Sequence, residues 1–515
     1  MTDMVLNMLK EFYALNAIPR PSGKEEAVTD YLLSRLRRMG LSPLRDENLH
    51  ILCDVPATPG YENRPRIALQ AHTDMVCVGT GDYCPETDPV HTVLDEEFLR
   101  TDGRSSLGAD CGIGLAAALY AAEHFPHGPL RLIFTADEER GLAGALKMDK
   151  SCLNGVSALI NLDGFHFGTV FCSSAGGRRQ TFTRQPGCFF PMLDKAFSIG
   201  VSGLLGGHSG DDIGLGRANA GQLLLWLLQS LTIPYELSSI HAGSTHNAIP
   251  QEGSACILIH ESDEAALRES VALFSDGIQD IYRSTDPDIS ISLVEAELPQ
   301  WVLTVDERDD LLALAGLIPC GKEEMHPLYP HTVGSSGSMG MLEADSDRIE
   351  VRSFLRSYNQ DFLDSRGDFL TMAAEGFGYE TETQGYPAWP GQESDPLSQA
   401  ILSAGEALGI PMKKAAVHVG LETSVFYAMA PDLPMVTWAW TFLTPIPPPN
   451  GCDFPPWSLS CASSGMFSQN MVFNPLFSKT MTTRYCGYGL FVFFEKTKVQ
   501  NVLLLLTEQR LCVKI

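Results

Sequence analysis

Short apolar runs alternate with amphipathic stretches along the first third of the chain. Arg66 to Val76 begins with residues that suit a strand buried on both faces, and Leu130 to Thr135 and Ala158 to Leu162 repeat this pattern. Between and before these runs, amphipathic or Ala-rich segments predict helices over Met4 to Leu15, Lys24 to Met39 and Ile113 to His124. Strands that alternate with helices predict an α/β domain whose sheet is flanked by helices.

The pattern changes from about Gln185 onward. Shorter strands and amphipathic helices follow one another, including a predicted helix from Leu215 to Ile233, as expected for a small α+β domain inserted into the first. At Tyr386 a proline-bounded crossover and a helix would return the chain to the first domain. We therefore predict a first catalytic part over 1–185, an inserted lid domain over 186–386, a second catalytic part over 387–438 and an atypical tail over 439–515.

A histidine and an aspartate follow the first buried strand. His72 and Asp74 are two positions apart, so a strand would place both side chains on one face. Such a pair can work as a metal ligand and the carboxylate that holds its imidazole in the ligating tautomer. Taken alone, a His-x-Asp at the surface is the simpler interpretation.

Asp110 lies between two glycines, just before the Ala-rich helix. Asp is common as a helix N-cap, and that alternative is open at this point. Gly108 and Gly112 would in addition let the backbone approach another group closely, which a cap alone does not need.

The second and third buried strands also end in acidic residues. Glu138 and Glu139 follow the strand that ends at Thr135, and Asp163 follows the strand that ends at Leu162. Ligands of open α/β sheets bind outside the carboxyl ends of the strands, and converging carboxylates repel one another unless a cation lies among them. Carboxylates with one imidazole suit zinc, manganese or cobalt. A solvated charge cluster is the alternative for the two glutamates alone.

Composition narrows the class of protein. The 515 residues carry a formal charge of −27 with a pI near 4.8, which argues against nucleic acid or an anionic membrane as partner. Thirteen cysteines without paired spacing indicate reduced thiols, and neither a signal peptide nor an apolar run long enough to span a bilayer is evident. We expect a soluble, cytoplasmic protein.

Three further polar residues in the predicted lid domain are candidates for contact with a substrate. His208 lies in a glycine-rich loop, Asn247 in the stretch HNAIP and Arg356 in the stretch LRS. Each of the three also suits an ordinary turn or a surface position.

Taken together, these stretches resemble bacterial aminoacyl-histidine dipeptidases, also called cytosolic nonspecific dipeptidases, within the two-zinc exopeptidases. The resemblance spans roughly residues 5 to 437 and rests on nine stretches in this order: AHTDMV, SLGADCGIG, TADEERGLAGA, LINLDG, GGHSGDDI, HNAIP, LRS, YPAWP and HVGLE. It implies a metallopeptidase catalytic domain with a mixed, largely parallel sheet, interrupted by the lid, and two divalent metal ions, zinc first, with cobalt or manganese as alternatives.

The resemblance also implies a role for each matching residue. His72 and Asp163 would bind one metal, Asp110 would bridge both, and Glu139 would bind the second. Asp74 would orient His72, and Glu138 would be the general base that activates a bridging water. In the lid, three residues would serve the substrate: His208 at the oxyanion, Asn247 at the peptide and Arg356 at the terminal carboxylate.

The expected activity is metal-dependent hydrolysis of dipeptides, both Xaa-His and broader ones, by a protein that pairs with a second copy through the lid. An aminoacylase of the same fold is the nearest alternative, and a catalytically impaired metal-binding relative is another. The reason for the last is that family members carry a final zinc-binding histidine near the C-terminus, whereas no histidine follows His418 here.

Two further departures concern the end of the chain and the third acidic strand end. Gly164, Phe165 and His166 follow Asp163, where the family usually has further acidic residues. The stretch from Thr441 to Ile515 carries six basic and three acidic residues, unlike the acidic remainder. We expect the catalytic sheet to lack its final strand, and the second metal site to be weaker than in the family.

Overall fold

The structure is a computed structural model that describes residues 3–95, 98–407 and 409–438. The predicted tail over 439–515 lies outside the described residues. The described chain divides into two compact units, one formed by residues up to Ser174 together with those from Gly391, and the other by Ala175–Pro390. The second unit is continuous in sequence and lies between the two segments of the first.

The described residues form nine α-helices, eight of which have three turns or more. In chain order they are α1 Asp3–Asn16, α2 Glu26–Arg38, α3 Ala109–His124, α4 Ala220–Ser230, α5 Glu264–Tyr282, α6 Val305–Leu317, α7 Gln360–Gly376, α8 Pro396–Ala407 and α9 Glu422–Met429. None of the helices in this part of the chain has the length and apolarity that crossing a bilayer requires.

The strands divide between the two units, ten in the first and thirteen in the second among the described residues. Those of the first unit are β1 Leu44–Arg45, β2 Ile51–Val55, β3 Ile67–His72, β4 Thr92–Asp95, β5 Phe98–Thr101, β6 Leu130–Thr135, β7 Ala158–Asn161, β8 Thr169–Ser174, β22 Lys413–Val417 and β23 Met435–Trp438. Those of the second unit are β9 Gly176–Arg184, β10 Cys188–Phe189, β11 Lys195–Ser202, β12 Gly207–His208, β13 Glu236–Gly243, β14 Ala248–Ile249, β15 Gly253–Ile259, β16 Ser290–Ala296, β17 Val302–Leu303, β18 Gly321–Met325, β19 Val333–Ala344, β20 Ile349–Ser357 and β21 Glu380–Tyr386.

The first unit is built on a mixed eight-stranded sheet with the order β1-β2-β6-β3-β7-β23-β8-β22. Its centre is parallel, because β3 pairs in parallel with both β6 and β7, and β23 pairs in parallel with β7. Helix α3 packs on β3, and α1 packs on α3. The predicted α/β class is confirmed, and the carboxyl ends of β6, β3 and β7 meet at one edge of the sheet.

The second unit is an antiparallel sheet covered by helices. Its strand order is β16-β11-β15-β13-β19-β20-β9-β21, with β18 beside β19. One continuous core of leucine, isoleucine, valine and phenylalanine side chains joins the sheet to α4, α5, α6 and α7. The unit begins at Ala175, and its first strand, β9, pairs with β20 along its whole length and with β21 from Gly177 to Thr183.

Two details differ from what the sequence pattern predicts. The polar segment between β3 and α3 contains the β4–β5 hairpin, which the pattern does not predict. Helix α4 begins at Ala220 instead of Leu215, because the Asn219 side chain accepts a hydrogen bond from the Gln222 amide and caps the helix there. The strand expected to be missing belongs to the stretch after Val436, most of which lies outside the described residues. The described part of that stretch ends with β23, which lies inside the sheet between β7 and β8.

Candidate active site

The site is centred on the imidazole of His72, the last residue of β3. Its ring is completely buried, and Nδ1 lies 3.2 Å from Asp74 Oδ1. On the other side of the ring, Nε2 lies 2.8 Å from Asp110 Oδ1 and 3.5 Å from Asp163 Oδ1. Asp110, at the start of α3, and Asp163, which follows β7, therefore lie on the same side of this ring.

Asp74 connects this imidazole to the loop that carries both glutamates. Its Oδ1 accepts the Glu138 amide at 3.0 Å, and its Oδ2 accepts the Glu139 amide at 3.1 Å and the Ser22 hydroxyl at 2.7 Å. Burial raises the pKa of Asp74, but the bonds and charge of His72 and these donors outweigh it and lower the pKa to about 2. The Asp74 side chain is therefore ionised at neutral pH, and it holds the His72 imidazole and the backbone of Glu138 and Glu139 in place.

Asp110 is not a helix N-cap. Gly108 precedes α3 without a side-chain cap, and the backbone of Asp110 and Cys111 is still non-helical. The Asp110 carboxylate turns instead toward His72, whose bond and charge lower the pKa of Asp110 against the opposing effect of burial. The alternative weighed from the sequence is thus wrong for this residue.

The remaining acids show how strongly the carboxylates repel one another. Burial, followed by the charge of Asp110, raises the pKa of Asp163 to about 8. Burial also raises the pKa of both glutamates well above the usual range, and the neighbouring carboxylates add to the effect. The pKa of His72 is raised as well, because these acids outweigh the effect of burial. A positive charge at the centre would relieve all of these shifts.

The donor set fits a divalent cation. His72 with Glu138 and Glu139, and His72 with Cys111 and Asp163, offer ligand atoms that lie within 4.8 Å of one another. Imidazole and carboxylate are the donors expected for zinc, manganese or cobalt. Among the described residues, His418 belongs to neither group.

Arg20 was missed by the sequence analysis, although it lies behind this cluster. Its guanidinium is completely buried and donates to the carbonyl oxygens of Thr73 at 3.2 Å, Asp74 at 3.0 Å and Gly108 at 2.6 Å. Gly108 has a φ of 69°, and a Cβ there would come within 2.6 Å of the guanidinium. Arg20 thus ties the loop after β3 to the loop that presents Asp110.

A buried polar network beneath the site was missed as well. Glu422, the first residue of α9, accepts hydrogen bonds at Oε2 from Gln70 Nε2 at 2.5 Å and Thr135 Oγ1 at 2.8 Å. Gln70 in turn accepts from the Asn161 amide, whose Oδ1 accepts the Asp163 backbone N–H at 3.2 Å. These bonds connect β3, β6 and β7 one or two residues below the ends that carry the site.

The three residues predicted to contact substrate lie in the second unit. The β12–β14 ladder brings His208 and Asn247 together, since His208 pairs with Ala248 and the Ser209 amide donates to the Asn247 carbonyl at 2.7 Å. Burial lowers the pKa of His208, and the positive charge of Arg356 acts in the same direction. All three side chains are buried, so none of them occupies the surface position that the sequence left open.

Comparison with known proteins gives one family and several similar chains. The model of peptidase family M20/M25/M40 matches residues 68–444. The chain is 28% identical over 453 residues to the cytosol non-specific dipeptidase of Escherichia coli K12, covering 85% of this chain and 92% of that one. It superposes on the crystal structure of the aminoacylhistidine dipeptidase from Vibrio alginolyticus with a TM-score of 0.76 and 26% identity, covering 91% and 92% of the two chains.

Proposed function

Because the chain belongs to peptidase family M20/M25/M40, we propose that it hydrolyses dipeptides, both Xaa-His and broader ones, with the cluster around His72 as its catalytic centre. The two similar dipeptidases support the substrate class. The observation that carries the proposal is the convergence of carboxylates on His72 Nε2, at 2.8 Å for Asp110 and 3.5 Å for Asp163.

Four residues of the cluster would hold two divalent ions. His72 and Asp163 would hold one, Glu139 the second, and Asp110 both. Zinc is our first choice, and cobalt or manganese are alternatives. Such ions, when bound, polarise a scissile carbonyl and lower the pKa of an attacking water.

The chain's own residues would handle orientation and proton transfer. Asp74 keeps the Nδ1–H of His72 engaged, which leaves Nε2 as the ligating nitrogen. Glu138 is half-buried and held by the bond from its amide to Asp74, which makes it the candidate that takes the proton of the attacking water and returns it to the leaving amine. A carboxyl in surroundings that raise its pKa suits a group that must both accept and release a proton.

Three residues of the second unit would bind the substrate. The His208 Nδ1 is engaged by the amides of Gly210 at 3.3 Å and Asp211 at 3.2 Å, so Nε2 is the atom proposed to stabilise the oxyanion. Asn247 would contact the peptide, and the Arg356 guanidinium would bind its terminal carboxylate.

A cytoplasmic location and pairing through the second unit belong to the same proposal. The similar Escherichia coli protein is named for the cytosol, and the nine described cysteines of this chain are all free, as expected in a reducing compartment. Gel filtration with light scattering of the purified protein would show whether it forms the expected homodimer.

Glu138→Gln tests the proposed function most specifically. We expect kcat for alanyl-histidine to fall by about 10²–10⁴-fold while the zinc content per chain is unchanged, because a general base is lost and the ligands remain. The control is Glu62→Gln, an exposed carboxylate that accepts the local Gly60 amide. Full activity of Glu138→Gln, or N-acyl amino acids hydrolysed in preference to dipeptides, would contradict the proposal.

A further inference from the structure

Two of the five arginines on β9 and β20 have no carboxylate partner. Three are paired: Arg178 with Asp368, Arg184 with Asp310 and Arg352 with Glu350. Arg179 and Arg356 form no ion pair with any residue that the structure describes. Since a buried or half-buried cation is costly unless it is paired, these two guanidiniums require another explanation.

The strand register places both of them on one face of the second unit's sheet. Arg179 of β9 lies opposite Phe354 of β20, and Gly177 lies opposite Arg356. Side chains directly opposite in an antiparallel pair point to the same side, and residues two apart along a strand share a face. Arg179 and Arg356 are therefore neighbours, whereas Arg178 points to the face covered by α7.

Both guanidiniums pack on the same aromatic ring. The guanidinium carbon of Arg356 lies 3.9 Å from the centroid of Phe354, and that of Arg179 lies 4.9 Å from it. Arg356 Nη1 also donates to the Tyr386 hydroxyl at 2.9 Å. A Cβ at Gly177 would lie 2.5 Å from the Tyr386 ring and 2.8 Å from the Phe354 ring, so glycine is required for this packing.

Within the described part of the chain, no carboxylate compensates this positive charge. Burial lowers the pKa of Arg179, and the charge of Arg356 lowers it further. Beside them, burial and then the charges of Arg352 and Arg179 lower the pKa of His246 to about 4, so this imidazole is neutral at physiological pH. The Nε atoms of Arg179 and Arg356 are buried, and neither has a hydrogen-bond partner among the described residues.

We propose that Arg179 and Arg356 form one carboxylate site, in which Arg179 is a second guanidinium for the C-terminal carboxylate of the dipeptide. This inference rests on the proposed function and extends it. Two planar donor groups fixed by one ring match the oxygens of a carboxylate. Arg179 would then determine how strongly the protein prefers peptides with a free C-terminus over peptides that lack this charge.

The test compares alanyl-histidine with its C-terminal amide in Arg179→Gln and in Arg178→Gln, its matched neighbour on the opposite face. In Arg179→Gln we expect KM for the free acid to rise about tenfold or more, kcat to change less than about threefold, and KM for the amide to stay as in the unmodified protein. Arg178→Gln should leave unchanged the ratio of KM for the free acid to KM for the amide. Equal effects of Arg179→Gln on both substrates, or none on either, would overturn the proposal.

A second measurement detects ligand binding at the carboxylate site through the thermal stability of the protein, without any catalytic turnover. N-acetylglycine should raise the Tm of the full chain, N-acetylglycinamide should not, and Arg179→Gln should lose the response, because a ligand stabilises only the state that binds it. Arg179→Lys, which keeps the charge, should retain part of the shift. If no dipeptide is hydrolysed but this shift is present, the proposed function fails and the carboxylate site stands. A shift that persists in Arg179→Gln would overturn the site.

Discussion

Replacing Glu422 with Gln should change the free energy of unfolding by an amount that depends on pH. The Glu422 carboxyl is completely buried, Oε2 accepts from Gln70 and Thr135, and Oε1 has no partner among the described residues. Burial is the largest cause that raises its pKa, from 4.5 to about 7. The folded protein therefore keeps a proton on Glu422 between these values, while the unfolded chain has lost it.

The sign follows from this difference in bound protons. Between about pH 4.5 and 7 the folded state binds one more proton than the unfolded state. The contribution of Glu422 to the free energy of unfolding of the wild type therefore falls as pH rises through that window. One pKa unit corresponds to about 1.4 kcal/mol, so the loss is about 3 kcal/mol once the pH exceeds 7. The side chain introduced by Glu422→Gln does not titrate. The free energy of unfolding of this variant, minus that of the wild type, should therefore increase by about 3 kcal/mol from pH 5 to pH 8.

Urea unfolding of the metal-free proteins at several pH values measures this difference. Glu406→Gln is the matched control, since Glu406 is an exposed carboxyl on α8 of the same unit, and its difference from wild type should not vary with pH. A difference in free energy of unfolding between Glu422→Gln and wild type that does not vary with pH would contradict a raised pKa of Glu422. It would mean that Glu422 is charged in the folded state.

Three further substitutions test the positioning of the two sites. Asp74→Asn should weaken zinc binding about 10–100-fold in competition with a chromophoric chelator, because an amide nitrogen cannot accept the backbone amides that Asp74 holds; unchanged affinity would contradict this. Arg20→Met should lower the free energy of unfolding in urea by about 3 kcal/mol, because three buried carbonyl oxygens lose their donor; a neutral effect would show that water replaces it. Gly177→Ala should cost about 1–3 kcal/mol and raise KM, since the new Cβ displaces the rings on which Arg356 packs; a KM equal to wild type would argue against that packing.

Sequence periodicity predicts best the strands that are buried on both faces, because burial requires an uninterrupted run of apolar residues. The strands that end at His72, Thr135 and near Leu162 are apolar runs buried on both faces, so both their positions and the meeting of their ends could be read from the sequence. The β4–β5 hairpin could not, because its strands are short and several of their side chains are exposed, which leaves little contrast between apolar and polar positions.

The residues that the sequence did not reveal act through contacts distant along the chain. Arg20 lies in a Pro-rich turn that looks like a linker, and its three carbonyl partners are 53 to 88 residues away. Glu422 lies 352 residues from Gln70. Arg179 is indistinguishable from Arg178 in the sequence, and only the strand register separates the arginine that faces α7 from the one that faces Arg356.

Metal-dependent dipeptide hydrolysis is tested most directly by assaying the purified full chain on alanyl-histidine, after removal of metal with a chelator and after addition of zinc, with the bound metal counted per chain. We expect no turnover without metal, and turnover together with two bound ions after zinc is restored. Turnover that survives complete removal of metal, or two bound ions without hydrolysis of any dipeptide, would contradict metal-dependent dipeptide hydrolysis.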